Sequence, residues 1–141
     1  MDPTITPLDA SFGAVITGID LAGLDDAGWH IVEDAFHEYA ALVFPAQNLG
    51  DEAQVAFAKR FGNIELLRDD PKAEAVLISN EKPDGGVVEP DEHRYQTLRG
   101  NEGWHTDSSY MPLASKAAML TALVVPPAGG ETELANMRDA Y

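Results

Sequence analysis

The sequence predicts an α+β fold that is mainly β, because short apolar segments bounded by glycine and proline outnumber segments with helical periodicity. At 141 residues, with 45% hydrophobic and 23% charged residues, the chain has the size and composition of one globular domain. No apolar run approaches the ~18 residues that a membrane span requires. The first residues also lack the basic and apolar regions of a secretory signal. We therefore expect a single domain with no membrane partner.

Charge and cysteine content narrow the classes of function. The formal net charge of −15 disfavours a nucleic-acid partner, since a polyanion would be repelled over most of the surface. A small anionic substrate is still compatible, because one local arginine can bind a carboxylate. The lack of cysteine excludes disulfides, zinc–thiolate sites and cysteine nucleophiles, and it is compatible with the cytoplasmic location that we expect.

The first sixty residues predict alternating strands and helices. Strands are predicted at 5–8, 12–17 and 41–44, and helices from about 25 to 39 and from 51 to 61. The first helix has acidic residues at its start, and Trp29, Val32 and Phe36 follow helical spacing. His30 and His37 share a face of this helix without a carboxylate cluster around them, so we interpret both as surface or half-buried helix residues.

After residue 61, the sequence predicts strands separated by a long loop, with a helix near the end of the chain. Further strands are expected at 64–67, 76–79, 117–125 and 132–135, followed by a helix that begins at Met137 with Asn136 as its N-cap. The near-continuous apolar run at 117–125 predicts a strand covered on both faces. Residues 80–103 are rich in glycine, proline and charge and predict a long loop, interpreted as a mobile lid or substrate-binding loop in preference to simple disorder. His93 is expected to lie exposed within that loop.

We expect the chemistry in residues 101–110, which read Asn-Glu-Gly-Trp-His-Thr-Asp-Ser-Ser-Tyr. His105 and Asp107 are separated by one residue, so a β-strand would project both side chains from the same face. An imidazole and a carboxylate supply two of the three protein ligands in the 2-His-1-carboxylate triad that holds non-haem Fe(II). The His-x-Asp pattern is weak by itself, and its meaning depends on the surrounding sequence.

That surrounding sequence resembles the taurine/2,4-dichlorophenoxyacetate (TauD/TfdA) dioxygenase family. The matching segments are 5–8, 13–21, 41–44, 60–62, 104–112 and 126–132. The resemblance implies that 1–141 is the N-terminal portion of a single dioxygenase domain. The implied fold is a double-stranded β-helix, a cupin-like jelly roll with flanking helices, incomplete at the C-terminus. The implied reaction uses Fe(II), 2-oxoglutarate and O₂ to hydroxylate a small organic acid, with release of succinate and CO₂.

The resemblance also assigns individual residues. It implies that His105 and Asp107 are the first two iron ligands and that the Thr132 hydroxyl hydrogen-bonds the 2-oxoglutarate carboxylate. Asn101 matches the position where the taurine enzyme places an asparagine against its substrate. Thr132 as an ordinary turn or strand threonine, and Asn101 as an ordinary loop residue, are the alternatives. The carboxylate of Asp107 favours hydroxylation over the halogenation performed by relatives that carry a small residue there.

Two departures from the family pattern affect the expected substrate and the completeness of the site. Leu67 and Asp70 occupy the positions of the histidine and tyrosine that contact substrate in the taurine enzyme, which favours a 2,4-dichlorophenoxyacetate-like or sulfonate-like acid over taurine. The family's distal histidine ligand and its 2-oxoglutarate-binding arginine are expected beyond Tyr141. We therefore expect the chain to be roughly the first half of an enzyme (a partial sequence, a truncation or a fragment) that is inactive and poorly stable alone. Homo-oligomerisation of the full-length enzyme is left open.

Two other classes of function compete with the oxygenase. In a non-catalytic jelly-roll binding module, His105 and Asp107 would have only structural roles. In a metal-dependent hydrolase, the same pair would bind zinc, and activity would need neither O₂ nor 2-oxoglutarate.

Overall fold

The computed structural model describes residues 2–66 and 72–141, and it divides the chain into two compact units. The first unit contains residues 1–60 and 119–141, and the second contains residues 61–118. The assignment of the whole chain to one dioxygenase domain stays a prediction. Within the described residues, no helix is both long enough and apolar enough to cross a bilayer.

The first unit contains a three-stranded sheet in the order β1-β2-β3. Strand β1 (Thr4–Pro7) runs antiparallel to β2 (Ala14–Thr17), with Ile5 opposite Ile16, and β2 runs parallel to the short β3 (Leu42–Val43). Because β2 is central, its inward side chains are the most enclosed, and Ile16 is fully buried. The turn before β2 uses Gly13 at φ +93°, where an added Cβ would lie 2.8 Å from Leu8 Cδ1. These strands confirm the predictions at 5–8, 12–17 and 41–44; β1 begins one residue earlier than predicted, and β2 and β3 are shorter.

Helix α1 (Asp26–Tyr39) follows the predicted range closely. Asp25 is its N-cap, and the carboxylate accepts a hydrogen bond from the backbone N–H of Gly28 at 2.8 Å. Its buried residues are Trp29, Val32 and Ala35. The helix ends at Ala40, which adopts a left-handed backbone (φ 62°) and donates its N–H to the carbonyl of Phe36. His30 and His37 are exposed on this helix, as the sequence predicted.

Helix α2 (Asp51–Ala58) ends three residues before the predicted boundary. Its one buried residue, Phe57, packs edge-on against Trp29 with ring centroids 6.1 Å apart. The Arg60 guanidinium lies over the Trp29 ring at 5.2 Å from its centroid and pairs with Asp26 at 2.6 Å. The Gln47 side chain links the segment before α2 to the segment before α1. It accepts a hydrogen bond from the N–H of Leu21 (2.9 Å) and donates one to the carbonyl of Ile19.

The last part of the first unit differs from the prediction. The segments at 117–125 and 132–135 form no strand, and Leu120, Leu123 and Val124 are mostly exposed. A strand exists only when a neighbouring strand accepts its backbone hydrogen bonds, and the described residues offer none to these segments. The predicted cap is confirmed: Asn136 accepts from the N–H of Arg138, and helix α4 (Met137–Ala140) follows.

The described part of the second unit is mostly irregular and contains one helix. Residues 64–66 and 76–79 form no strand, so those two predictions are wrong for the described residues; Leu67 and Asp70 lie outside them. The predicted loop at 80–103 is wrong in part, because α3 (His93–Gly100) forms inside it. An isolated bridge pairs Glu81 with Val87 around a turn. Glu92, directly before α3, pairs with Lys82 at 2.5 Å, and this contact lowers the pKa of Glu92 and raises that of Lys82.

The described architecture is therefore α+β, but helical residues outnumber strand residues, contrary to the mainly β prediction. The reason is the same for every missing strand: apolar patterning was present, but a pairing partner was not. The double-stranded β-helix stays a prediction for the full-length protein.

Candidate metal-binding site

His105 and Asp107 come together in the second unit. The Nε2 atom of His105 lies 3.2 Å from Oδ1 of Asp107, and both side chains are at least half exposed. The predicted strand is absent, since 104–106 are irregular and 107–110 form a turn. The turn produces the convergence that a strand was expected to produce. Binding of a metal ion by this pair stays a prediction.

The backbone fixes which nitrogen of His105 faces Asp107. The Nδ1–H of His105 donates to the carbonyl of Gly103 at 2.8 Å, because a carbonyl can only accept. Hydrogen bonding of one ring nitrogen to the backbone is typical of metal-bound histidines, where it sets the tautomer and the ring orientation. With Nδ1 bonded to this carbonyl, Nε2 is the ring nitrogen that faces the Asp107 carboxylate.

The separation of these two atoms suits a divalent ion. Ligand atoms about 2.1 Å from a six-coordinate ion, at right angles, lie about 3.0 Å apart. Within residues 2–66 and 72–141, no third His, Cys, Asp or Glu completes a metal-binding group with the pair. The described residues thus supply two candidate ligands with fitting chemistry and spacing.

Of the other two predicted site residues, Asn101 belongs to the second unit and Thr132 to the first. Asn101 is the exposed C-cap of α3, where its N–H donates to the carbonyl of Leu98 at 3.1 Å. Thr132 belongs to the first unit and is exposed in an irregular segment. Their roles toward substrate and 2-oxoglutarate stay predictions.

A carboxylate that the sequence did not single out supports the segment after Asp107. Glu65 accepts hydrogen bonds from the hydroxyls of Ser108, Ser115 (2.7 Å) and Tyr110 (3.2 Å). These bonds, led by that from Ser108 and then Ser115, lower the pKa of Glu65 below its ordinary value. Ser108 is 8% exposed, so it is a buried polar residue. No local pattern links Glu65 to residues 43 positions away, which is why sequence reasoning missed it.

The sequence profile of the taurine catabolism dioxygenase TauD, TfdA family matches residues 4–141. The chain belongs to this family. The match includes every segment that carried the resemblance, and it includes the residues His105 and Asp107.

Characterised members of the TauD/TfdA family are similar over almost the whole chain. The chain is 52% identical over 139 residues to an (S)-phenoxypropionate/alpha-ketoglutarate-dioxygenase of Sphingobium herbicidovorans, covering 97% of this chain and 46% of that protein. It is 37% identical over 150 residues to an alpha-ketoglutarate-dependent 2,4-dichlorophenoxyacetate dioxygenase of Cupriavidus pinatubonensis, covering 100% of this chain and 52% of that protein. The chain therefore spans about half the length of the curated relatives it matches.

A solved structure shows that the similarity extends to the backbone. The crystal structure of AAD-2 in complex with Mn(II) and N-oxalylglycine superposes with a TM-score of 0.69 at 34% identity, over 81% of this chain and 39% of that one. The described backbone therefore resembles part of that solved structure.

Proposed function

We propose that the full-length protein is an Fe(II)- and 2-oxoglutarate-dependent dioxygenase that hydroxylates a small organic acid and releases succinate and CO₂. The observation that carries the proposal is the convergence of His105 Nε2 and Asp107 Oδ1 in a chain that belongs to the TauD/TfdA family. Fe(II), when bound, would supply activation of O₂ and couple the decarboxylation of 2-oxoglutarate to hydroxylation of the substrate.

The roles of this chain's own residues follow from their contacts. His105 would bind the ion through Nε2, with its ring held by the Gly103 carbonyl, and Asp107 would bind through Oδ1. Two protein ligands leave the rest of the coordination sphere for a third ligand, 2-oxoglutarate and O₂. Thr132 is proposed to donate its hydroxyl proton to the 2-oxoglutarate carboxylate, and Asn101 to contact the substrate. The 141-residue chain alone is proposed not to turn over, because two ligands hold iron weakly.

The relatives support a proposal for the substrate class. Two proteins similar to this chain are named for phenoxypropionate and 2,4-dichlorophenoxyacetate, and an alkylsulfatase of Acinetobacter baylyi is 32% identical over 136 residues. The higher identity to the phenoxy acid enzymes supports an aryloxyalkanoic acid as the substrate, with sulfonates and alkyl sulfates as the alternatives to be measured. A cytoplasmic location stays a prediction.

The decisive experiment measures succinate release and hydroxylated product from the full-length protein with a panel of phenoxypropionates, phenoxyacetates, sulfonates and alkyl sulfates. Activity is expected to require Fe(II), 2-oxoglutarate and O₂ together. Loss of a residue that hydrogen-bonds a metal ligand lowers metal affinity or activity by about 10–100-fold, and loss of the ligand itself should have a larger effect. His105→Ala and Asp107→Ala are therefore each expected to lower kcat/KM by more than about 100-fold. His30→Ala, which removes an exposed histidine on α1, is the matched control and should leave the activity unchanged.

The result also separates the competing classes. A non-catalytic binding module would release no succinate with any substrate, and a zinc hydrolase would act without O₂ and 2-oxoglutarate. Either outcome would overturn the proposal.

A further inference from the structure

We infer that Glu65 is a positioning residue whose carboxylate holds the turn that carries Asp107. The inference rests on the proposed function of the His105–Asp107 pair, and it concerns a residue 42 positions before Asp107 in the chain. It assigns Glu65 no contact with metal, cosubstrate or substrate.

The first argument is the number of bonds that converge on one side chain. Ser108 and Ser115 both donate to Oε2 of Glu65, and the Tyr110 hydroxyl donates to Oε1. The two serine hydroxyls also lie 3.0 Å apart. Every donor comes from the eight residues that follow Asp107, so a single carboxylate ties both ends of that segment to residue 65. Because Glu65 is ionised at neutral pH, these are charge-assisted hydrogen bonds, about twice as strong as neutral ones.

The second argument is the backbone of Ser108. This residue directly follows Asp107 and has φ +57°, in the left-handed region that non-glycine residues seldom occupy. Its carbonyl accepts from the N–H of Met111 at 3.0 Å, which closes the turn. The left-handed residue turns the chain just after the Asp107 carboxylate. The Ser108–Glu65 hydrogen bond offsets the cost of that conformation and keeps Ser108 buried beside otherwise exposed neighbours.

These two observations explain how an exposed, irregular segment can present two ligands in a fixed geometry. His105 is held from its upstream side by the Gly103 carbonyl, and the Asp107 turn is held from its downstream side through Ser108 and Glu65. If Glu65 is removed, the turn can relax, and the separation of Nε2 and Oδ1 is no longer fixed. Metal affinity should then fall even though both ligands are present.

The test is Mn(II) binding to the metal-free full-length protein, measured from the EPR signal of free Mn(II) well below the unfolding temperature. Glu65→Ala is expected to weaken Mn(II) binding about 10-fold, the lower end of the range for outer-shell residues. Glu65→Gln removes the charge but keeps a side chain that hydrogen-bonds hydroxyls, which can act as donors or acceptors. It is expected to stay within about threefold of wild type, the margin that separates it from the 10-fold loss. Ser109→Ala removes the neighbouring exposed hydroxyl and is the matched control with unchanged affinity.

Ser108→Gly keeps the inference testable if Glu65→Ala folds poorly. Glycine suits the positive φ, so this variant should fold, but it lacks the hydroxyl that joins the turn to Glu65. It retains the Glu65 charge, and it is expected to lose severalfold in Mn(II) affinity.

Three outcomes would overturn the inference. Wild-type affinity in both Glu65→Ala and Ser108→Gly would show that the turn needs no support from Glu65. An equal loss in Glu65→Gln and Glu65→Ala, together with wild-type affinity in Ser108→Gly, would show that the charge of Glu65 acts on the ion and not through its hydrogen bonds. If wild type binds Mn(II) no better than His105→Ala, the proposed function fails, and the inference fails with it. Loss in Glu65→Ala with a wild-type response of Glu65→Gln supports it.

Discussion

Arg60 makes two interactions whose energies the structure allows us to rank. Its guanidinium lies 5.2 Å from the centroid of Trp29, and Nη2 pairs with Oδ1 of Asp26 at 2.6 Å. A weaker hydrogen bond reaches the Leu24 carbonyl at 3.4 Å. The Arg60 side chain is 28% exposed, whereas that of Asp26 is 93% exposed. The short ion pair therefore lies in water, and the aromatic contact is largely shielded.

The expected magnitudes follow from these exposures. An ion pair with a fully hydrated partner contributes about 0.5 kcal/mol or less, because solvent and salt screen it. The cation–π contact, together with packing of the arginine stem on the indole, contributes about 1 kcal/mol or somewhat more. We expect Arg60→Ala to lower the free energy of unfolding by about 1–2 kcal/mol, and Asp26→Asn to lower it by no more than about 0.5 kcal/mol.

Urea unfolding of the full-length protein at 0.05 and 0.5 M NaCl tests this ranking. The loss caused by Arg60→Ala should persist at high salt, whereas the small loss caused by Asp26→Asn should disappear. The double variant gives the coupling between the two residues. If Asp26→Asn destabilises as much as Arg60→Ala, or if high salt removes the Arg60 effect, the ion pair dominates and the ranking is wrong.

Three further changes test packing, backbone and charge by urea unfolding. Ile16→Ala removes a fully buried side chain from the central strand and should lower the free energy of unfolding by about 2–5 kcal/mol. Val43→Ala, at a half-exposed position, should lower it by well under half of that. Similar losses in the two variants would contradict the burial of β2. Gly13→Ala should cost about 1–3 kcal/mol, because φ is +93° and the new Cβ would contact Leu8; a neutral effect would contradict this backbone. The lowered pKa of Glu65 means that its stabilisation is present above its ordinary value of 4.5 and is lost as pH falls through the lower folded-state pKa. Glu65→Gln should remove that part of the acid dependence, and an unchanged pH profile would contradict the assignment.

The elements that could be predicted from sequence are those whose stabilising contacts are local. Helix α1 was predicted almost to the residue because its N-cap, its acidic first turn and its apolar spacing all lie within fifteen residues. The Asn136 cap was predicted for the same reason. These signals involve hydrogen bonds to residues two to four positions away, and they do not depend on the rest of the protein.

The errors concern elements that need distant partners. The apolar run at 117–125 has the composition of a buried strand, but composition does not provide a neighbouring strand, and the structure leaves most of it exposed. The converse error is that α3 forms in a segment where little apolar periodicity led us to predict a loop. It is supported by polar contacts, including the Arg94 side chain donating to the Ser79 carbonyl at 2.8 Å.

The candidate site combines one feature that local sequence predicts and one that depends on distant residues. The convergence of His105 and Asp107 could be predicted because one intervening residue keeps their backbones close, although a turn and not a strand brings their side chains together. The support from Glu65 could not be predicted, because it depends on a fold that joins residues 43 apart. A short motif thus predicts which side chains converge, and tertiary structure determines which distant residues contact the same segment.

The left-handed backbone of Ala40 has a consequence for engineering of this protein. Alanine at φ 62° carries a conformational penalty of about 1–2 kcal/mol in the folded state, which glycine would avoid. Glycine has more conformational freedom in the unfolded chain, and that freedom lowers the gain by only about 0.5–1 kcal/mol. Ala40→Gly should therefore raise thermostability modestly without changing His105 or Asp107. The natural residue at this helix terminus is therefore not the most stable choice. The free energy of unfolding gained by Ala40→Gly could compensate for destabilising substitutions that widen the choice of substrate.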